Sequence, residues 1–317
     1  MNYVEDLKKA LQALKIDSAE INDILADHEE MIREAKAQGL SDEEILSKLG
    51  DPAKVAQDIA DLCEHKRPEK VSNPNDHSAG VFKPGNDLIN LTIQLVSEDI
   101  QVEADGGTTI RVTYEGNIPL DYYEIGLNGN HFVLKRLNKH FGFTLRSSNM
   151  EFHVLVPQSM KVGTTAISGV SGDYNLDGLR TETLNCNSTS GDGLLKDIKA
   201  KNVKISSVSG DVSLNQIVSH DMLLSEVSGD ANINQCKVEQ TFDINTVSGD
   251  LKVTDSSCAT ANFRTVSGDL QGTEFYPEVV EMKSVSGDIF IRNHDASKSV
   301  NVRSARSVSG TVRIEVK

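Results

Sequence analysis

Seven aspartates recur in one short string along the C-terminal half of this chain: Asp173, Asp192, Asp211, Asp230, Asp250, Asp269 and Asp288. Each follows a Ser-Gly pair: Ser171-Gly172, Ser190-Gly191, Ser209-Gly210, Ser228-Gly229, Ser248-Gly249, Ser267-Gly268 and Ser286-Gly287. An eighth string, Ser309-Gly310, ends in Thr311 instead. Carboxylates repeated in this way can hold cations, act as acids and bases, or accept hydrogen bonds from backbone that a turn leaves unpaired. Catalysis needs partner groups of different character, and no His, Lys or second acid recurs in register with these aspartates. The reading adopted is therefore a structural corner ladder, with bound cations as the alternative. Stacked about 4.8 Å apart, ionised neighbours would repel by roughly 0.9 kcal/mol in water and about 3.5 kcal/mol at an effective dielectric of 20. Backbone N–H and Ser hydroxyl bonds are expected to offset this. Gly is expected to supply a positive φ at the corner.

A second constellation has a different chemistry. Lys135, Arg136, Lys139, His140 and Arg146 are interleaved with Phe132, Phe141 and Phe143. The sharper reading is a ligand-contact hairpin in which Lys135, Arg136, Lys139, His140, Phe141 and Phe143 touch an anionic polymer or a lipid headgroup. The blander reading puts the rings in the core and the cations on a solvated face, since alternate strand residues face opposite ways. The cysteines, Cys63, Cys186, Cys236 and Cys258, show no paired spacing, so neither a disulfide framework nor a zinc site is expected. No metal and no cofactor are called for.

Spacing decides what must position the aspartates. Successive serines of the string lie 19, 19, 19, 20, 19, 19 and 23 residues apart. A period this constant means a repeat architecture. Apolar residues recur at fixed offsets within it: Leu176, Leu195, Leu214, Ile233, Val253 and Ile291 in one slot, and Leu179, Ile198, Ile217 and Cys236 in another. Later pairs such as Leu184 with Cys186 and Val203 with Ile205 complete a unit of two or three short strands with one inward face. No unit can bury that face alone, so neighbours must stack. The expectation is a single-chain β-solenoid of about 19-residue coils over residues 166–317, preceded at 88–165 by irregular β-strands that cap it. Leucine-rich repeats and calcium-binding nonapeptide rolls are excluded because their strings are absent.

Residues 1–64 read differently, as an acidic module of four helices. Leu7, Leu11 and Leu14 share one stripe; Ser41-Asp42-Glu43-Glu44 is a capping box; Asp51-Pro52 starts the last helix. This module carries 16 acidic residues against 7 basic ones. Residues 65–87, punctuated by Pro68, Pro74 and Pro84, read as a flexible linker.

The formal charge of −15 argues against nucleic-acid binding and against simple electrostatic docking on anionic lipid. No signal peptide or membrane-spanning run is evident, so the expected location is cytoplasmic, with peripheral envelope association as an alternative.

The string Gly39-Leu40-Ser41, Glu43-Glu44, Leu49-Gly50-Asp51-Pro52, with Leu7 to Leu14 and His28-Glu29-Glu30, resembles the HAAS-type helical domain of bacteria. That resemblance implies association with envelope or regulatory systems. The Ser-Gly-Asp coils, with Val156-Pro157 leading into them, resemble the bacterial "putative adhesin" β-solenoid family, a domain of unknown function. This second resemblance implies a non-enzymatic scaffold, with some members in envelope-stress responses of Gram-positive bacteria. The expected function is thus a non-catalytic protein-interaction scaffold whose partner, another protein, docks on residues 1–64. The alternatives are a surface adhesin or envelope-polymer or lipid binder, and a β-helix polysaccharide-active enzyme. The C-terminal solenoid edge offers end-to-end homodimerisation.

Overall fold

The computed structural model describes residues 3–14, 41–57, 77–85, 88–137, 150–295, 297, 298 and 300–316, with isolated positions 21, 24, 25, 28, 29, 32, 33 and 36. The chain divides into two compact units, one of residues 1–76 with 140–147, whose described elements are helical, and a β one of residues 77–139 with 148–317.

The helical unit is built on short-range rules. Helix α1 (Tyr3–Ala13) buries Tyr3, Leu7 and Leu11 on one face. Leu14, expected on the same stripe, lies just past the helix end and is exposed. Helix α2 (Asp42–Leu49) starts at a reciprocal cap: Glu44 N–H donates to Ser41 Oγ at 3.4 Å, and Ser41 N–H donates to Glu44 Oε2 at 2.9 Å. Asp51 Oδ1 then accepts from Ala53 and Lys54 N–H at 3.0 Å each, opening the helical residues 52–57. Tyr3, Leu7, Leu11, Ile21, Leu25 and Ala56 form the core, and the Tyr3 hydroxyl donates to Leu49 O at 3.2 Å.

The β unit is a solenoid of parallel, in-register coils. Each coil has a short strand and a long one. The short strands are β9 (Tyr174–Asp177), β11 (Gly193–Lys196), β13 (Val212–Asn215) and β15 (Ala231–Asn234). The long strands are β8 (Lys161–Ser168), β10 (Arg180–Ser188), β12 (Lys199–Ser207), β14 (Val218–Glu226) and β16 (Lys237–Asn245). Further along, short and long strands merge in β17 (Leu251–Arg264) and β18 (Leu270–Ser284). They part again as β19 (Ile289–Asn293), β20 (Asn301–Ser307) and β21 (Val312–Val316). Columns of equivalent residues are paired coil on coil: Leu176, Leu195, Leu214, Ile233, Val253, Gly272, Ile291 and Ile314 form one. Packing is complementary within a column. Tyr174 lies over Gly193, where an added Cβ would sit 2.3 Å from the tyrosine ring.

The stack begins before the first Ser-Gly-Asp string. Strands β2 (Leu88–Gln94) and β3 (Asp99–Asp105) pair in parallel with β8 and β9 and are themselves a coil. The chain then leaves through β4 (Ile110–Gly116), a 3-10 turn (Leu120–Tyr122) and β5 (Tyr123–Asn128). It returns as β6 (His131–Arg136) and β7 (Met150–Pro157), laid in parallel on the other edges of β2 and β3. So β2 and β3 are sandwiched between strands that come later in sequence. The outer edges of β6 and β7 are paired antiparallel with β5 and β4, which satisfies the backbone groups an open edge would leave free.

The stretch read as a linker needs one correction. Its residues Ser78–Phe82 form strand β1, antiparallel to β4. Phe82 packs edge-on against Phe132 at 5.6 Å between ring centroids, so burial of that ring anchors a segment whose composition looks like a tether.

Candidate functional site

Every Ser-Gly-Asp string turns the chain from a long strand into the next short one. The aspartate is exposed, and one of its oxygens is committed. Asp173 Oδ1 accepts from Asp192 N–H at 2.8 Å, Asp192 from Asp211 at 2.8 Å, Asp211 from Asp230 at 2.9 Å, and Asp230 from Asp250 at 2.8 Å. The series continues through Asp250, Asp269 and Asp288 to Thr311 N–H. From Ser209 onward the serine hydroxyls make a second column, donating to a carbonyl one coil back, as from Ser209 to Thr189 and Ser286 to Val266. Such charge-assisted bonds offset the mutual repulsion of the stacked carboxylates.

The role expected for glycine is corrected. None of Gly172, Gly191, Gly210, Gly229, Gly249, Gly268 or Gly287 has a left-handed φ. Glycine stands there because successive backbones touch: a Cβ on Gly191 would lie 1.9 Å from Gly172 O, and one on Gly210 would lie 2.1 Å from Gly191 O. The left-handed positions are at the other corner of the coil, at Gly178, Asp197, Gln216, Gln235, Asp255 and Glu274, with φ between 48° and 72°.

A third column escaped the sequence reading. One residue before the Val or Thr of six of the eight strings stands a hydroxyl, buried at Ser188, Ser207, Thr246, Thr265 and Ser284 and less so at Ser307. Each accepts from the glycine N–H three residues on, at 2.7–3.2 Å. The signal was present, since Ser or Thr recurs at this offset. Glu226 interrupts it. Its side chain is buried with Oε1 unpartnered, and burial, with Asp211 and Asp230 adding, pushes its carboxyl up to about 8.

The first coil carries a disguised string, Val96-Ser97-Glu98-Asp99. Asp99 Oδ1 accepts from Asp173 N–H at 2.9 Å, which places it in the aspartate column. Glu98 replaces glycine and is fully used: Oε2 accepts from Val96 N–H at 2.8 Å and Ser97 N–H at 3.1 Å, and Oε1 accepts from the Tyr123 hydroxyl at 2.8 Å. Arg136 closes the cluster, 3.2 Å from Glu98 Oε1 and donating to the Tyr123 oxygen at 2.7 Å. Burial first, then Glu98, raises the Tyr123 pKa. Of the hairpin residues singled out by sequence, Arg136 is thus turned onto the first coil, and Lys135 is exposed opposite Glu124. Lys139, His140, Phe141 and Phe143 lie outside the described residues.

The 23-residue interval builds a feature of its own. An open cleft of about 330 Å³ is lined by Asp255, Ser256, Ser257, Glu274, Tyr276, Asp295 and Lys298. Glu274 accepts from the Tyr276 hydroxyl and pairs with His294, while Asp295 N–H donates to the Tyr276 oxygen at 3.1 Å. Lys298 Nζ stands 4.4 Å from the Tyr276 ring centroid. The Tyr276 and His294 hydrogen bonds hold the Glu274 carboxyl below its usual range, and Ser297 does the same for Asp295. Both carboxylates are hydrogen-bond acceptors in this arrangement. The longer coil was visible in sequence; that it brings His294 and Lys298 over the acids of two earlier coils was not. Among the described residues no group of three or more His, Cys, Asp or Glu is placed to hold a metal ion, and no helix is long and apolar enough to cross a membrane.

Comparison with known proteins agrees with this architecture. The Toastrack DUF4097 family model matches residues 89–315 and the HAAS family model matches residues 2–58. No curated protein matches. A solved "putative adhesin" from Parabacteroides merdae superposes with a TM-score of 0.53 at 14% identity, over 76% of this chain and 98% of its own. A solved "putative lipid binding protein" from Parabacteroides distasonis does so with a TM-score of 0.53 at 15% identity, over 76% and 98% respectively. At such identities the likeness is one of fold. With a family model covering nearly the whole solenoid and a second one covering the helical head, the chain belongs to the Toastrack DUF4097 family and carries an HAAS domain ahead of it.

Proposed function

We propose that the chain is a non-catalytic binding scaffold in which residues 1–64 dock a partner protein and the solenoid of residues 166–317 is the rigid platform. On this reading residues 88–165 cap the platform, apart from β2 and β3, which form its first coil, and residues 65–87 tether the head, strand β1 excepted. The observation that carries it is the state of the repeated polar residues. The corner aspartates and the serines from Ser209 onward hold one coil to the next, and the buried hydroxyls brace each corner from within, which supports a stiff body whose repeated polar groups are structural. The acidic exterior of the head, with Glu5, Asp6, Glu29 and Asp42 exposed, fits a basic partner surface. A place in a bacterial envelope-stress or regulatory system, peripheral to the membrane from the cytoplasmic side, is part of the proposal, as is end-to-end pairing of two copies through β20 and β21.

The test is in-cell crosslinking of the full chain against a form carrying Glu5→Lys, Asp6→Lys, Glu29→Lys and Asp42→Lys. Crosslinks lost with the charge reversals support the docking head. A partner captured equally by both forms sinks it.

A second reading, an adhesin or an envelope-polymer or lipid binder, is supported by the cleft at Tyr276 and by what the two solved relatives are named for. Under it the solenoid surface makes the contact and the head is dispensable.

A further inference from the structure

One outward column changes character along the solenoid. Asn187, Ser206, Ser225 and Asn245 are stacked coil on coil, and all are uncharged. The same column then continues as Arg264, Lys283 and Arg306. All three are exposed, and among the described residues none is paired with a carboxylate. Arg264 makes a 3.4 Å bond to Asn245 Oδ1, and the nearby Glu281 is engaged by Arg303 at 2.9 Å. Three cations at the coil spacing span about 10 Å and repel one another, so the fold gains nothing from this placement.

The direction of these side chains is fixed. Thr265, Ser284 and Ser307 follow them in sequence and face inward, bonded to the N–H groups of Gly268, Gly287 and Gly310. The residues on either side of each hydroxyl must therefore face out together. On the far side stand Val266, Val285 and Val308, which are 48%, 49% and 83% exposed. A row of cations thus runs beside a row of exposed valines. Beyond the valines lie Asp269 and Asp288, but the last coil has Thr311 at this position.

We propose that Arg264, Lys283 and Arg306 with Val266, Val285 and Val308 form a docking surface for an anionic phospholipid bilayer. The guanidinium and ammonium groups take headgroup phosphates, and the valines enter the interface beside them. Phosphate alone would explain the cations. The adjoining apolar row favours the lipid source. The overall charge of −15 does not forbid this, because at physiological ionic strength fields decay over about 8 Å and the contact is local. This inference names the ligand class of the second reading above and is independent of the docking head.

The test is vesicle flotation with the full chain, using phosphatidylcholine vesicles with and without phosphatidylglycerol. The triple variant R264Q/K283Q/R306Q is compared with K199Q/K201Q/K204Q, which removes the same charge from exposed lysines of an earlier coil. Thermal melts establish that both are folded. The wild-type chain is expected to float with phosphatidylglycerol vesicles only. The column variant should lose about a hundredfold in partitioning, and the control should stay within a few-fold of wild type. Replacing Val285 and Val308 with Ser should weaken flotation without changing its dependence on phosphatidylglycerol. Equal flotation of the column variant and wild type overturns the inference, and so does equal loss in the control. Binding to soluble poly(glycerol phosphate) without vesicle flotation also overturns the lipid source, while leaving the envelope-polymer reading standing.

Discussion

The two corners of each coil solve the same problem under different constraints. At the Ser-Gly-Asp corner successive turns touch through their backbones, and only a residue without Cβ fits. At the opposite corner the chain takes a left-handed φ, yet Gly178 gives way to Asp197, Gln216, Gln235, Asp255 and Glu274. A steric wall fixes a residue type, because no rotamer relieves a Cβ pressed on a carbonyl oxygen. A left-handed φ costs a non-glycine residue only about 1–2 kcal/mol, which a stack with many buried contacts can absorb. One corner is therefore written as a motif, and the other is not.

The comparison can be broken by substitution. The largest effect is expected from Gly210→Ala, whose Cβ would meet Gly191 O at 2.1 Å. Separating two coils should cost about 3 kcal/mol or more, read as a fall in the denaturation midpoint. Equal stability would show that the corner glycines are not sterically required.

Next comes Glu226→Thr, which restores the hydroxyl beneath Gly229. Glu226 binds its proton more tightly in the folded chain than in the unfolded one. Stability is then full below the ordinary carboxyl pKa of 4.5 and falls as pH rises towards about 8. One such group contributes a slope of about 1.4 kcal/mol per pH unit across that window. Melting curves at pH 5 and pH 9 should show the variant gaining at pH 9 and losing that component of the slope. An unchanged pH profile would remove Glu226 from the account.

A smaller loss, about 1 kcal/mol, is expected for Asp211→Ala, which deprives Asp230 N–H of its 2.9 Å acceptor. Asp211→Asn keeps an acceptor and removes a charge, so it should be close to neutral. If Asn is as damaging as Ala, the charge itself matters, and the cation alternative for the column regains support.

The smallest effect belongs to the variable corner. Gln216→Gly relieves the left-handed backbone at φ 59° and gives back part of that gain as unfolded-chain entropy. A net stabilisation of about 0.5 kcal/mol is expected in urea titration. Destabilisation would mean that the Gln216–Gln235 side-chain bond at 3.2 Å outweighs the strain.

Period and inward slots were legible in the sequence because each is a local rule repeated. Leu176, Leu195, Leu214 and Ile233 are buried where their offset puts them. The capping box at Ser41 and Glu44 was legible for the same reason, since it spans only four residues. The first coil was hidden for a local reason as well: Glu98 replaces the glycine that marks the string, and 74 residues separate Ser97 from Ser171. Arg136 shows the other limit. Its spacing among basic and aromatic residues pointed outward to a ligand, but Glu98 and Tyr123, distant in sequence, draw it onto the first coil.

The sequence alone determined that this chain is a stack of about 19-residue coils behind an acidic helical head, because periodicity and caps depend on neighbours along the chain. Tertiary structure decided which residues share a column. Register between coils put Glu226 among hydroxyls, lined up Arg264, Lys283 and Arg306, and brought Glu274, Tyr276 and His294 to one cleft. Insertions of one and four residues shift every later position in number but not in space, so these columns follow from backbone pairing and not from arithmetic on the sequence.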